Sequence, residues 1–370
     1  MTFPGLTAAQ TQAGLCALAA VAILSELSRR VALRHGLVDR PNRHKAHRQP
    51  TPYLGGAAIM AGTLLPVALT ARGWSAPFIE IVLGAALLGL LGLADDIRPL
   101  SPVLRLIVEA AAAALVVSCG VRLPIFGNAF DDAVTVLWIV VLTNSFNLLD
   151  NMDGAAAAVG SATAAVLAVS AAAAGRPDVA VLLFALSAGC VGFLIHNWAP
   201  ARIFMGDAGS LFLGFVIATA AVVVYTTRGG HPALTAVWLV TFIPTLDTAV
   251  VLISRHRAGR PLLTGGTDHV SHRLRRLGLS VPQVGLAMSA LAAATSLTGM
   301  LVGRGSLSPV DVLLAGAVSA AAMTWGLLRV PGYPKAIRPR SALRPAPRVL
   351  GPAPGDGDAG PPDPKRPTRA

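Results

Sequence analysis

At 370 residues the chain is long enough for two or three soluble domains, yet 54% of it is hydrophobic and only 13% charged, against roughly a quarter charged in an ordinary globular protein. A mean hydropathy of +0.64, aromatics at 5% and an excess of Ala, Val, Leu and Gly suit helices packed closely in lipid better than a water-soluble core. Thirty Lys and Arg against 18 Asp and Glu give a formal charge of +12, which points to nucleic acid in a soluble protein and to loop topology in a multi-span one.

A spanning helix needs about 20 mostly apolar residues, and eleven windows qualify, centred near Ala20, Ala61, Leu87, Ala113, Val140, Leu167, Ala188, Ile217, Val240, Leu291 and Gly316. The first has no basic segment before it and no small-residue cleavage site, so it reads as a retained span with the N-terminus outside. Alternation then sorts the basic residues 25 to 5 between the two sides, which places the basic side in the cytoplasm and removes the need for nucleic acid. The expected architecture is an all-α integral membrane protein of about eleven transmembrane helices, with a cytoplasmic C-terminus. Residues 1–330 form the membrane domain, and the Pro- and Arg-rich stretch 331–370 cannot bury a core and reads as a disordered cytoplasmic tail. Cys16, Cys119 and Cys190 lie in apolar runs without CxxC or His neighbours, and are expected to be small buried hydrophobes.

In chain order, the first basic loop, Asp39 to Gly56, is too rich in Pro for a helix. Positive-inside topology accounts for its charge but not for His47 or the Gly55-Gly56 entry into a span, so phosphate binding is a second role. Asp95-Asp96 closes the third span; Pro99 stands where a DDxxD motif needs Asp, so the pair reads as a base or metal ligand. Asn144, Asn147, Asp150 and Asp153 recur every three residues, and if the segment stays helical they share one face. Such a row of oxygens suits Mg²⁺, which takes few carboxylates and shares its other positions with phosphate and water. In Phe204-Met-Gly-Asp207-Ala-Gly-Ser210 the glycines allow close backbone approach, the following helix N-terminus favours an anion, and Asp207 can hold a metal. The last loop clusters His269, His272 and Arg273, donors suited to diphosphate oxygens, while Asp268 reads as a flank or helix cap. Asp247 sits inside the ninth span near the same side. Charged groups near hydrocarbon usually mark a binding place.

In order, DRPN…KxH…PxPxxGG, DD…LSP, NxFNLxDxxDG, FMGDxGSL and the His-rich last loop, from about Gly36 to Leu274, resemble the polyprenyl-phosphate N-acetylhexosamine-1-phosphate transferases, of glycosyltransferase 4 type. The resemblance implies attack by a lipid phosphate on the β-phosphate of a UDP-sugar in the inner membrane of a bacterium, releasing UMP at the start of cell-wall or surface-polysaccharide synthesis. It implies Mg²⁺, with Mn²⁺ as the alternative, held by Asp207 and Asn147. Asp95 or Asp96 would deprotonate or orient the acceptor, and Asp150 and Asp153 would shape the nucleotide site. His47, Arg105 and Asn144 join the substrate site, Phe204 stacks on uracil, and His269, His272 and Arg273 engage the sugar diphosphate. UDP-HexNAc, polyprenyl phosphate and the bilayer are the implied partners, and a homodimer is left open. Arg105 stands where the family has Lys, Asn151 where Gly is commoner, and Ser271 interrupts a run of His. Lack of the triple-His pattern favours the branch using UDP-GlcNAc over the one using UDP-MurNAc-pentapeptide. A CDP-alcohol phosphotransferase shares DxxDG but requires a downstream Asp pair that is missing. An ion-coupled transporter places its acids near the bilayer midplane, whereas these gather at one surface.

Overall fold

The computed structural model describes residues 7–39, 51–70, 73–226, 230–262 and 265–333; His47 and the tail from residue 334 lie outside them. Among the described residues the chain forms α1 (Ala8–His35), β1 (Val38–Asp39), β2 (Thr51–Pro52), α2 (Gly55–Thr70), α3 (Ala76–Ile97), α4 (Pro102–Ser118) and α5 (Phe130–Leu149). It continues through α6 (Ala155–Ala173), α7 (Pro177–Asn197), α8 (Gly206–Tyr225), α9 (Gly230–Val240), α10 (Phe242–Arg257), α11 (Val270–Arg276), α12 (Val281–Gly303) and α13 (Pro309–Arg329). The protein is an all-helical integral membrane protein, apart from the antiparallel pairing of β1 with β2, which sequence reading did not anticipate.

All eleven expected windows fall on these helices, but not as eleven uniform spans. Among the described residues eight helices are long and apolar enough to cross a membrane. α2 and α4 are shorter, at 16 and 17 residues. The window centred on Val240 is broken, with the helices on either side of Thr241 bent by 72°. Pro244 explains the break: it lacks the N–H that would bond the Val240 carbonyl, and its ring crowds that carbonyl. Several helices start by one local device. Ser75, Ser101, Ser280 and Ser308 are N-caps whose side chains accept a backbone N–H, and each is followed by Pro in the first helical positions. There Pro has the right φ and no N–H to waste.

The core is built around α8, in which every residue from Ala208 to Tyr225 is buried, packed by α2, α3, α5, α6 and α9. A helix apolar all round belongs there. At the other extreme, α13 buries only Leu327. Close approach at the start of α8 depends on small residues: a Cβ on Gly92 of α3 would lie 2.4 Å from the Asp207 carbonyl carbon and oxygen. Gly55 and Gly56 at the start of α2 donate backbone N–H groups to the carbonyls of Phe204 and Met205, at 3.0 and 2.8 Å. Of the cysteines, Cys190 is buried as expected, but Cys119 is half-buried and Cys16 exposed on the outer face of α1. An apolar thiol facing lipid meets no penalty that would drive it inward.

Candidate active site

The N-terminus of α8 is the focus. Gly206 adopts φ +68°, a left-handed conformation open to Gly, and the helix begins there, its first N–H groups having no partner within the helix itself. Asp96, at the end of α3, accepts the N–H groups of Asp207 and Ala208 on its two oxygens, at 2.9 and 3.1 Å. A carboxylate from a neighbouring helix therefore caps α8. Asp95 turns the other way, accepting the Leu100 N–H at 2.5 Å and Arg105 Nη1 at 2.7 Å. The same Nη1 lies 2.7 Å from Asp207 Oδ2, so Arg105, in the first turn of α4, bridges α3 and α8 with charge-assisted bonds.

From α5, Asn147 Nδ2 donates to Asp207 Oδ1 at 2.8 Å and to Ser210 Oγ at 2.9 Å. Asn144, one turn earlier, donates to Val140 O at 2.9 Å and makes a very short bond to Glu109 of α4. These two share a face as expected. Asp150 and Asp153 do not extend it: α5 ends at Leu149, Asp150 is its C-cap, and Gly154 at φ +74° starts α6. The row of four therefore becomes a face of two followed by a turn. Asp153 accepts the Ala201 N–H at 3.0 Å, and Asn197 fixes the turn by accepting the Gly154 N–H at 3.0 Å and donating to Ile203 O at 2.9 Å. Burial, then the charges of Asp207, Asp96 and Asp153, push the Asp150 carboxyl up to about 7. Phe204 is half-buried beside the turn, where its N–H donates to Pro52 O at 2.7 Å.

The last loop reaches the turn through α11. Ser271, fully buried, makes a very short hydrogen bond to Asn151 Oδ1, so two of the three positions that depart from the pattern noted above contact each other. His269 is buried and packs edge-on to His272, with ring centroids 6.1 Å apart. Burial, with the charge of Arg276 adding to it, pushes the His272 imidazole down to about 4, so it is a neutral group at pH 7. Arg273 is committed elsewhere. It is buried, donating to the carbonyls of Asp268 at 3.0 Å, Leu327 at 2.8 Å and Val330, and to Ser254 Oγ at 2.7 Å. It braces the loop against the end of α13 rather than offering its fork to a diphosphate. Asp268 caps nothing: it pairs with Arg255 at 3.1 Å, with side chains 0% and 1% exposed. Pro331 and Gly332, placed in the tail by composition, accept from Arg276 and Thr267.

Sequence reasoning missed Glu109, Ser210 and Asn197. Glu109 had a signal, a carboxylate one turn after Arg105 in an apolar helix, but its partner Asn144 is 35 positions away. It is 1% exposed, and its Oε1 has no hydrogen-bond partner.

This arrangement can hold a hard cation. Asp95, Asp96, Asp150 and Asp207 converge, and the cation the protein itself brings to them is Arg105, which leaves an excess of oxygen ligands and negative charge. Among the described residues no group of three or more Asp, Glu, His or Cys side chains is placed to hold a metal ion. A cation bound at Asp207 would have to take its remaining ligands from Asn147, phosphate and water, the kind of shared coordination Mg²⁺ accepts.

A Streptomyces coelicolor protein, named only as a glycosyltransferase, is 37% identical over 91% of this chain and 80% of its own length. The profile of glycosyl transferase family 4 matches residues 78–225. The chain belongs to this family. The matched segment of this glycosyl transferase family 4 member runs from α3 to the end of α8 and so contains Asp95, Asp96, Arg105, Asn147, Asp150 and Asp207. A decaprenyl-phosphate N-acetylglucosaminephosphotransferase of Mycolicibacterium smegmatis is 32% identical over 68% of this chain and 71% of its own. An undecaprenyl-phosphate alpha-N-acetylglucosaminyl 1-phosphate transferase of Yersinia pestis is 27% identical over 78% and 83%.

Proposed function

We propose that the protein transfers GlcNAc-1-phosphate from UDP-GlcNAc to polyprenyl phosphate, giving polyprenyl-diphospho-GlcNAc and UMP. The observation that carries this reading is the meeting of α3, α4, α5 and α8 at one end, where four carboxylates, Asn147 and Arg105 surround a helix N-terminus. A dianionic nucleophile and an anionic donor need charge neutralisation and in-line placement more than covalent help. An oxygen of the lipid phosphate attacks the sugar-bearing phosphorus, and the bond from that phosphorus to the UMP oxygen breaks. An alkyl phosphate is already ionised near pH 7, so Asp95 and Asp96 orient rather than deprotonate it. Asp207 and Asn147 are the residues that would hold Mg²⁺, which when bound neutralises diphosphate charge. Arg105 hydrogen-bonds acceptor or donor phosphate once released from either Asp. Asp150 and Asp153 shape the nucleotide pocket, Phe204 stacks on the base, and His269 and His272 meet the sugar end.

The sorting of 25 basic residues against 5 supports eleven spans, counting α2, α4 and the broken α9–α10 pair. It also supports an external N-terminus and a site on the cytoplasmic face of the inner membrane. The 72° break favours a transporter at first sight, since transport sites use broken helices. Asp150 and Asp153, however, lie in the α5–α6 turn at a helix end, and neither belongs to the broken pair. The test is UMP release by purified protein with polyprenyl phosphate, Mg²⁺ and a panel of UDP-sugars. UMP from UDP-GlcNAc alone, lost with chelator and in Asp207→Ala, is expected. No UMP from any UDP-sugar by folded protein overturns the reading.

A further inference from the structure

Asp247 has no place in the chemistry above, yet it is 0% exposed within α10. A buried carboxylate persists only if its oxygens are satisfied. Both are: Oδ1 accepts the Val270 N–H at 2.7 Å, and Oδ2 lies 2.8 Å from Nδ1 of His269. With the carboxylate as acceptor in both bonds, the hydrogen in the second sits on Nδ1. One residue beyond Val270, Ser271 bonds Asn151, the neighbour of Asp150. The short helix α11 is thus strung between the α10 carboxylate on one side and the acidic turn on the other, with His269 at its N-cap. With Nδ1 tied to Asp247, Nε2 is the ring nitrogen left to meet a ligand.

We propose that Asp247 is a positioning residue for the transferase: it holds the His269 ring as the Nδ1–H tautomer and turns Nε2 toward the sugar end of the donor. This rests on the function proposed above. The consequence is chemical. As the Nδ1–H tautomer, His269 presents Nε2 as an acceptor, so it pairs with a hydroxyl or the acetamido N–H of the sugar and not with a phosphate oxygen. A carboxylate or carbonyl behind a functional imidazole fixes its tautomer and orientation, and loss of such a partner costs about 10–100-fold in metal affinity or activity at sites where it has been measured.

The decisive experiment is ¹⁵N NMR of histidine-labelled protein in lipid nanodiscs, with the His269 signal identified by its disappearance in His269→Gln. Wild type is expected to show protonated Nδ1 and bare Nε2. Asp247→Asn, which keeps side-chain volume and an acceptor for the Val270 N–H, is expected to shift His269 away from that tautomer. The same variant should lower kcat for UMP release about 10–100-fold. The double variant Asp247→Asn with His269→Gln should be no slower than His269→Gln alone, because the two act as a unit. A wild-type His269 protonated on Nε2, or losses that multiply in the double variant, overturns the proposal, and the wild-type spectrum decides even if the Asn variant fails to fold. Absence of UMP from wild type would instead refute the transferase reading, leaving the tautomer measurement valid.

Discussion

Replacing Arg105 by Met removes the single nitrogen that joins Asp95 of α3 to Asp207 of α8, each at 2.7 Å. The three side chains are 19%, 11% and 29% exposed, so the pairs are nearer to buried than to surface ion pairs. Removing one partner of a buried pair costs about 3–5 kcal/mol, because the charge left behind has no compensation. Here two carboxylates lose their cation at once, with Asp96 and Asp150 close by. Ligand-free Arg105→Met in detergent should unfold about 3–5 kcal/mol more easily than wild type in a denaturant titration. Millimolar Mg²⁺ should recover part of that loss, since a dication answers the same oxygens. Arg105→Lys should lie between the two, keeping the charge but not the planar fork. UMP release should fall in both. If Arg105→Met matched wild type to within about 0.5 kcal/mol and Mg²⁺ stabilised both equally, the bridge would carry no energy and the account of the cluster would be wrong.

Three further outcomes test separate parts of the structure. Gly92→Val puts a side chain where a Cβ already sits 2.4 Å from the Asp207 carbonyl; α3 and α8 must part, costing about 3 kcal/mol or more with loss of UMP release, and a normally active variant would show the contact to be loose. Glu109→Gln keeps a carbonyl for Asn144 and removes a buried carboxylate whose second oxygen has no partner, so stability should hold or rise by about 1 kcal/mol; a clear loss in an unfolding assay would assign that oxygen a bound ion or proton. Asp150 is held up to about 7 against an ordinary 3.8 by burial and neighbouring carboxylates, so the folded state holds its proton more tightly than the unfolded chain. That contribution is present below about pH 4 and lost as pH rises through 7, whereas His272, pushed down to about 4 from 6.5, contributes stability that is lost as pH falls through the same range. The difference between wild type and Asp150→Asn isolates the first: plotted as apparent Tm without metal, the wild type should lose ground to the variant from pH 4 to 7, and parallel curves would reject the assignment.

Local features of the site were legible because their causes are local. A Gly-Asp step before an apolar run announces the N-terminus of α8, and a three-residue spacing puts Asn144 and Asn147 on one side of α5. The same spacing misled two residues later: periodicity says which side chains share a face but not where the helix stops, and Asp150 lies past the end of α5. What the sequence could not show are pairings across the bundle. Nothing near Glu109 names Asn144, and nothing near Arg273 names Leu327 and Val330, so one acid went unnoticed and one arginine was assigned to a diphosphate when it braces a loop. Hydropathy found the apolar window centred on Val240, but averaging over a window hides a break that one proline three residues beyond Thr241 is enough to cause.

A helix sheathed on all sides by protein, as α8 is from Ala208 to Tyr225, never feels the acyl chains around the molecule. Membranes differ in thickness by a few Å, and spans that touch lipid accommodate by tilting at a cost of fractions of a kcal/mol per Å. In this protein that adjustment falls on outer helices such as α13, which buries only Leu327. Asp207 rides on the shielded helix and keeps its position relative to Asp96 and Asn147 while the rim yields, so that cluster is insulated from changes in the thickness of the membrane around it.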